Sequence, residues 1–257
     1  MLNDFLIGLQ FLTRISIVRQ TVWNEESFGN SVKYFPAVGS VLGLCYVTIV
    51  FVFDYFIGSK TPMLGAAAIL MSMTTLTGGI HCDGFMDTMD GLFSGRERER
   101  ILEIMKDSRV GAFGVVSFVM LSIFEFATLS ELAIVSSLSL LSAIYSAPII
   151  GRLMMVIIIG CFPYARPEGM GKAFAKYTTR STIAFAAIET LILLLPIVLL
   201  SPIMIKSLSI SLIVTLIFTV YFGKFTTKKI GGVTGDIYGA VTTICEALVF
   251  LAFLTIR

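Results

Sequence analysis

The chain repeatedly contains apolar stretches of about 18 residues or more, each long enough to cross a lipid bilayer as a helix. Helices suit that environment because they satisfy their backbone hydrogen bonds within one segment. Charged residues make up only 14% of the 257 residues, whereas a soluble domain carries roughly a quarter. We therefore predict an all-α, polytopic integral membrane protein that forms one domain over residues 1–257.

The apolar stretches predict seven transmembrane helices, which follow a shorter apolar segment at residues 5–20. That segment contains Arg14 and Arg19, so we expect it to lie in the membrane interface. The fourth predicted span is too long for one straight crossing, so we expect it to tilt or to project beyond the bilayer. The predicted spans are residues 37–57, 62–80, 110–128, 132–162, 182–201, 208–223 and 237–256.

The distribution of basic residues predicts the orientation of these spans. Fifteen Lys and Arg residues fall on one side, three fall on the other, and Arg152 lies inside a span. Because loops rich in Lys and Arg stay in the cytoplasm, we predict a cytoplasmic N-terminus and cytoplasmic loops near 81–109, 163–181 and 224–237. The basic residues occupy short loops rather than one patch, which gives no indication of a nucleic-acid partner. The smaller group is Lys60, Lys206 and Arg257; the larger is Arg14, Arg19, Lys33, Arg96, Arg98, Arg100, Lys106, Arg109, Arg166, Lys172, Lys176, Arg180, Lys224, Lys228 and Lys229.

One polar segment, GGIHCDGFMDTMDG at 78–91, concentrates three carboxylates and the only histidine, His81. Asp83, Asp87 and Asp90 are spaced i, i+4, i+7, so on a helix they share one face over about two turns. Carboxylates held that close repel one another, and a divalent cation with oxygen ligands, Mg²⁺ or Mn²⁺, would relieve the repulsion. A solvated acidic helix end is the plainer alternative.

The segment MKDSRVGAFG, which leads into the third predicted span, places Lys106, Asp107 and Arg109 ahead of two glycines. Cations beside a metal-binding acidic cluster suit a diphosphate, because both neutralise its oxygens. The alternating Arg and Glu residues at 96–100 are more typical of a solvated helix face.

Two further loops on the predicted cytoplasmic side have unusual compositions. CFPYARPEGMGKAF, at 161–174, holds Arg166 between two prolines, and GGVTGDIYGA, at 231–240, places Thr234 and Asp236 among four glycines. Glycine-rich turns expose backbone N–H groups that bind phosphate. Both loops are equally typical of ordinary connections between spans. A zinc site is not indicated, because the chain has a single histidine and no C-x-x-C pair.

Taken in order, these segments resemble the bacterial cobalamin synthases, also called adenosylcobinamide-GDP ribazoletransferases. The resemblance covers most of the chain and rests on the order and rough spacing of its motifs. They are LQFLTRI at 9–15, YFPAVGSVLG at 34–43, TGGIHCDGFMDTMDGLFSG at 77–95, ILEIMKDSRVGAFG at 101–114, GRLMMV at 151–156, FPYARPEGMG at 162–171 and GGVTGDIYGA at 231–240.

The resemblance implies an enzyme of the bacterial cytoplasmic (inner) membrane, with its active site facing the cytoplasm, that catalyses the last assembly step of the cobalamin nucleotide loop. A ribose hydroxyl of α-ribazole, or of its 5′-phosphate, attacks the phosphorus nearer the cobinamide in adenosylcobinamide-GDP. GMP leaves, and adenosylcobalamin or its 5′-phosphate forms. The family uses Mg²⁺. A homo-oligomer, or a complex with other cobalamin-assembly enzymes, is a further expectation.

With that chemistry, each polar residue acquires an expected role. Asp83 and Asp87 are predicted metal ligands, and Asp90 is either a third ligand or the base that accepts the hydroxyl proton. His81 is either that base or a hydrogen-bond partner of an aspartate, and Asp107 is a possible fourth carboxylate ligand. The predicted contacts to substrate are Lys106, Arg109 and Arg166 for phosphate oxygens, and Thr234 and Asp236 for ribose or nucleotide.

Three alternatives remain open at this point. A cation-coupled transporter would use the aspartates as an ion site, although they are predicted at the cytoplasmic end of a span rather than within it. A membrane scaffold without catalysis would leave the grouping of polar motifs unexplained. A different enzyme, similar to CDP-alcohol phosphotransferases, would share the aspartate-rich metal motif, but the family's D-G-x₂-A-R start is not met after Asp83 and Gly84.

Overall fold

A computed structural model describes residues 2–18, 24–58 and 61–256. Over these residues the chain is built from α-helices joined by short connections and two single turns of 3₁₀-helix, and no β-strand occurs. The all-α prediction is confirmed. Three of the basic residues used to predict orientation, Arg19, Lys60 and Arg257, lie outside the described residues.

Twelve α-helices make up the described part of the chain. Six are long and apolar enough to cross a membrane, and α4 and α5 together form a seventh, strongly bent candidate. The helices are α1 (Leu2–Leu12), α2 (Glu25–Ser31), α3 (Phe35–Phe56), α4 (Pro62–Thr77), α5 (Ile80–Leu92), α6 (Arg98–Ile104), α7 (Ala112–Val135), α8 (Ser137–Cys161), α9 (Met170–Tyr177), α10 (Arg180–Leu200), α11 (Ile205–Ile230) and α12 (Gly235–Thr255).

Each predicted span has a helical counterpart, but the stretch 132–162 is not the single long helix that was expected. α7 continues to Val135, the backbone is extended at Ser136, and α8 then runs for 25 residues. The Ser136 side chain accepts a hydrogen bond from the Ser139 N–H and so caps α8. Apolar residues continue across this break, which explains why hydropathy does not reveal it.

A sharp elbow ends the second span before the acidic segment begins. Gly78 and Gly79 both have positive φ, +64° and +74°, a conformation that glycine adopts without the steric cost other residues incur. α5 consequently leaves α4 at 90°. The predicted span 62–80 therefore stops at Thr77, and the helix that carries the aspartates is a separate element packed against α12 and α7.

The centre of the bundle is formed by α8 and α12, the most buried of the long helices. α3 crosses α8 very closely, because a Cβ at Gly43 would lie 2.6 Å from the Tyr145 carbonyl oxygen. On its other side, α8 packs against α12 through Gly151. Small residues allow membrane helices to approach in this way, and close packing supplies much of the attraction between helices in lipid.

A buried ion pair also joins the two central helices. Arg152 of α8 donates to Glu246 of α12, and both side chains are almost fully enclosed. An unpaired charge at this depth is costly, so the pair fixes α12 against α8.

Candidate active site

Glycines bring the aspartate helix directly onto the start of α12. A Cβ at Gly84 would lie 2.7 Å from the Asp236 carbonyl oxygen, and a Cβ at Gly239 would lie 3.2 Å from the Cα of His81. Because there is no side chain at either glycine, the two backbones approach closely. Asp236 is thereby placed beside the α5 face that carries Asp83 and Asp87, although more than 140 residues separate them in the chain.

The carboxylates of Asp83 and Asp87 make no hydrogen bond or ion pair with any other described residue. The charges of Asp83, Asp236 and Asp90 all act on Asp87, so several acidic groups share a small region. Such crowding is unfavourable unless a cation or a proton offsets it. The predicted clustering on one helix face is present, and two of its members are free to bind something outside the protein.

The acidic side chains of α5 do not by themselves form a complete metal cage. No group of three or more His, Cys, Asp or Glu side chains in the described part of the chain is close enough to enclose a metal ion. Mg²⁺, however, commonly binds through one or two carboxylates together with substrate phosphates and water. Two unpartnered carboxylates one helical turn apart fit that incomplete kind of site.

The two unusual loops predicted from the sequence meet each other. The Ala165 N–H donates to the Val233 carbonyl at 2.8 Å, and the Val233 N–H donates to the Pro163 carbonyl at 2.8 Å, in a short parallel bridge. A side chain at Gly232 would collide with the Pro163 carbonyl, so glycine is required there. The bridge holds the two loops in register beside α5.

This bridge brings together three of the residues predicted to contact substrate. The Arg166 guanidinium donates to Asp236 Oδ2 at 2.7 Å, and the Thr234 hydroxyl lies 3.2 Å from the same oxygen. Thr234 also caps α12, because its side chain accepts from the Ile237 N–H. The ion pair is only partly covered, with side-chain exposures of 19% for Arg166 and 21% for Asp236. Arg166 and Asp236 therefore form a partly exposed ion pair beside the acidic face of α5.

Asp90 has a different environment from the other two aspartates of α5. Its carboxylate accepts from the Gly111 N–H at 2.6 Å and from the Gly114 N–H at 2.8 Å, so both oxygens are engaged at the start of α7. These N–H groups have no partner within their own helix, and a carboxylate there is favoured by the helix dipole. Its role as a third ligand or as the base stays a prediction.

The turn before α7 is exposed, and its charged residues pair with each other. Asp107 accepts from the Arg109 backbone N–H and from its guanidinium at 3.0, 3.1 and 2.8 Å. These bonds lower the pKa of Asp107 to about 2 and raise the pKa of Arg109. Asp107 is not among the main charges that act on Asp87, so the structure does not bring this carboxylate to the others. Lys106 is exposed beside it.

His81 lies beneath the acidic site. Its side chain is 5% exposed, and its Nε2 atom has no hydrogen-bond partner among the described residues. The same holds for the hydroxyl of Tyr238, which is 3% exposed. Tyr238 was not singled out from the sequence, because only burial reveals that its polar atom is unused.

Two cavities meet at Asp83. One, of about 220 Å³, lies among α1, α5, α9 and α12 and is lined by His81, Asp236 and Tyr238. The other, of about 570 Å³, is lined by Cys82 and Met86 of α5 and by Arg14, Gly78 and Gly79. Arg14 was considered as a basic residue of the interfacial segment and as part of the motif LQFLTRI, and nothing in the sequence indicated its proximity to the aspartates.

Fold and site together define an integral membrane protein with unpartnered carboxylates, an adjacent arginine and paired glycine-rich loops gathered at one end of a helical bundle. The sequence comparisons place it more narrowly. The chain belongs to the cobalamin-5-phosphate synthase family, whose family model matches residues 4–254.

Curated relatives agree with that assignment over almost their full lengths. A protein of Fusobacterium nucleatum named adenosylcobinamide-GDP ribazoletransferase is 34% identical over 99% of this chain and 98% of its own. Proteins of the same name from Desulfitobacterium hafniense and Clostridium acetobutylicum are 36% and 37% identical, over 95% and 94% of this chain and 94% and 90% of theirs. No solved structure matches the chain.

Proposed function

We propose that this protein is a transferase that joins adenosylcobinamide-GDP to α-ribazole or its 5′-phosphate, with release of GMP. Family membership supports the reaction. The observation that supports the site is the pair of unpartnered carboxylates, Asp83 and Asp87, beside the Arg166–Asp236 ion pair. Phosphoryl transfer depends chiefly on positioning and on neutralising phosphate charge, and this arrangement offers both.

In the proposed reaction a ribose oxygen forms a bond to the phosphorus nearer the cobinamide, and the bond between that phosphorus and the bridging diphosphate oxygen breaks. Asp83 and Asp87 would hold Mg²⁺, which when bound neutralises phosphate oxygens and stabilises the leaving GMP. Arg166 is placed to bind a phosphate oxygen and Asp236 to accept from a ribose hydroxyl. Lys106 and Arg109 are proposed as further phosphate contacts from the exposed turn, with Asp107 beside them.

The hydroxyl proton needs an acceptor, and two groups are candidates. His81 presents a buried Nε2 without a partner and lines the smaller cavity together with Asp83. Both oxygens of Asp90 are already engaged by backbone N–H groups. The free nitrogen favours His81 as the base, and the bonds of Asp90 favour a positioning role for it.

The proposed location is the bacterial cytoplasmic membrane, with the site on the cytoplasmic face. Basic residues predicted to be cytoplasmic gather at the same end of the bundle as the site. Arg98 donates to the Ile230 carbonyl, and Lys229 donates to the Leu92 carbonyl just after the aspartates. The excess of positive charge at this end supports that orientation. An oligomer or a complex with other cobalamin-assembly enzymes stays a prediction.

The test is GMP release from adenosylcobinamide-GDP and α-ribazole by the purified protein in detergent, with and without Mg²⁺. We expect metal-dependent release in the wild type and a loss of at least ~100-fold in Asp83→Asn and in Asp87→Asn. Asp54→Asn is the matched control, because Asp54 lies near the C-terminal end of α3, away from the site.

The possible outcomes separate the reaction from its site. If the folded wild type releases no GMP with metal present, the proposed reaction is wrong. If release persists in both aspartate variants, the reaction stands and the metal site is wrong. If Asp54→Asn loses as much activity as the other two, the effect is not specific to the α5 face.

A further inference from the structure

Asp83 forms part of the wall of two cavities that differ in the other α5 residues lining them, which are His81 and Gly84 in one and Cys82 and Met86 in the other. Ile80 and Phe11 also line both cavities, which are therefore neighbours. A transfer between two substrates requires each to reach the reacting phosphorus from its own side, with attacking and leaving oxygens roughly in line. A proposed metal ligand shared by two cavities provides one meeting point with two approaches.

The smaller cavity has the chemistry of a site for an aromatic nucleoside. Met155 and Phe174 supply apolar walls, and such walls around a few well-placed polar atoms are typical of small-molecule sites. The polar residues of the lining are Tyr238, His81 and Asp236, and the Tyr238 hydroxyl and His81 Nε2 are buried atoms without a partner within the described chain. No Lys or Arg side chain lines it. A flat heterocycle with hydroxyls at one end matches this lining.

The larger cavity differs in charge, because a cation lines it together with Asp83. Arg14 lines it, its side chain lies against Gly78, and its guanidinium makes no ion pair with another described residue. The Arg14 backbone N–H donates to the Leu76 carbonyl at 2.7 Å, which ties the segment after α1 to the elbow. An available guanidinium is well suited to phosphate oxygens, and a volume of about 570 Å³ falls within the ~300–1,000 Å³ typical of ligand sites.

We propose that the two cavities are separate substrate subsites: the Arg14 cavity takes the guanosine diphosphate portion of the donor, and the Tyr238 cavity takes the heterocyclic base of the α-ribazole acceptor. This inference rests on the proposed function. The corrinoid is too large for either cavity and stays outside, attached to the phosphate at Asp83.

The test measures the binding of GDP and of α-ribazole separately, with Mg²⁺, to the full-length protein in detergent. Arg14→Gln should weaken GDP binding about tenfold through loss of a charge-assisted contact and leave α-ribazole binding unchanged. Tyr238→Phe should weaken α-ribazole binding about fivefold and leave GDP binding unchanged. Saturating α-ribazole should leave the Kd for GDP within about twofold. Arg100→Gln and Tyr221→Phe, both on exposed side chains, are the matched controls.

If Tyr238→Phe does not fold, Met170→Ala replaces it, because Met170 lines the same cavity with a side chain that is 67% exposed. Competition between the two ligands, or a variant that weakens both equally, overturns the assignment of subsites. GMP release measured in parallel separates the two proposals. If the protein releases GMP but the two variants do not affect the two ligands differently, only the assignment of subsites is overturned. If the wild type neither releases GMP nor binds either ligand, the proposed function is overturned as well.

Discussion

Two charged regions lie at the same end of the bundle, and they differ in where their charges find partners. At the α5 face, Asp83 and Asp87 have no partner in the described chain, and the neighbouring Arg166–Asp236 pair joins residues 70 positions apart. In the turn before α7, Asp107 and Arg109 pair with each other across two positions. In the first region Asp87, Arg166 and Asp236 are partly buried and Asp83 is exposed, whereas Arg109 in the second is 88% exposed.

The difference separates charges that pair locally within the protein from charges that are available to a ligand. A local, exposed pair forms in almost any conformation of its loop and is screened by water. The α5 face, in contrast, exists only when the elbow, two glycine contacts and a loop bridge are all in place. Several tertiary contacts are needed to hold these carboxylates together, and the protein gives them no partner. We therefore expect them to bind a ligand or a metal ion.

The largest effect should come from breaking the approach of α12 to α5. In Gly84→Ala the new Cβ must push the Asp236 backbone away, and a displacement near 1 Å can cost about 100-fold in turnover. We expect GMP release to fall by ~10–100-fold and the free energy of unfolding to fall by about 1–3 kcal/mol. Thermal unfolding and the GMP assay measure the two separately.

Gly65→Ala is the matched control for this change. Gly65 lies within α4, and its Cβ would meet only ordinary contacts at 3.9 Å, so alanine should stabilise the helix by about 0.5–1 kcal/mol. Full activity in Gly84→Ala would contradict the importance of the α5–α12 approach.

An intermediate effect is expected at Asp90, which separates a positioning role from a catalytic one. Asp90→Ala leaves the Gly111 and Gly114 N–H groups without their partner. The loss of a helix cap costs about 0.5–2 kcal/mol, so the melting temperature should fall while turnover by the folded protein falls less than ~10-fold. Asp90→Asn keeps one acceptor oxygen and should recover part of the stability. Equal abolition of turnover in both variants, with stability intact, would instead identify Asp90 as the base or a metal ligand.

The smallest effects should come from the exposed turn. Arg109→Gln removes a solvated cation, so we expect at most about a fivefold rise in KM for the donor and no change in melting temperature. Because Arg109 lowers the pKa of Asp107 to about 2, that carboxylate stays ionised at any practical assay pH. Asp107→Asn should therefore leave the shape of the pH–activity profile unchanged. A large loss in either variant would place this turn in the site after all.

The spans were predictable because hydropathy alone determines which stretches enter the bilayer. The breaks between the spans were harder to predict. Apolar residues run across Ser136 without interruption, and the elbow at Gly78 and Gly79 depends on backbone conformation rather than composition. Hydropathy therefore predicted one long span at 132–162, where the structure has the end of α7 and the whole of α8.

The site was predictable in its parts but not in its assembly. Spacing placed all three aspartates on one face, but it could not tell which would be engaged by α7 and which left free. The contacts that decide this, from Gly111 and Gly114 to Asp90 and from Arg166 to Asp236, join residues 21 to 70 positions apart. The proximity of Arg14 to the site was unpredictable for the same reason, since its neighbour Gly78 is distant in the sequence.

The bridge between the loop after α8 and the loop before α12 also determines when the site can exist. Arg166 leaves the ribosome 70 residues before Asp236, and Asp236 lies in the first turn of α12. A nascent chain that contains α1 to α11 still lacks the wall of the smaller cavity that α12 supplies. The site therefore assembles only after α12 has been synthesised and packed against α5, so a chain truncated before α12 has neither the ion pair nor the complete cavity.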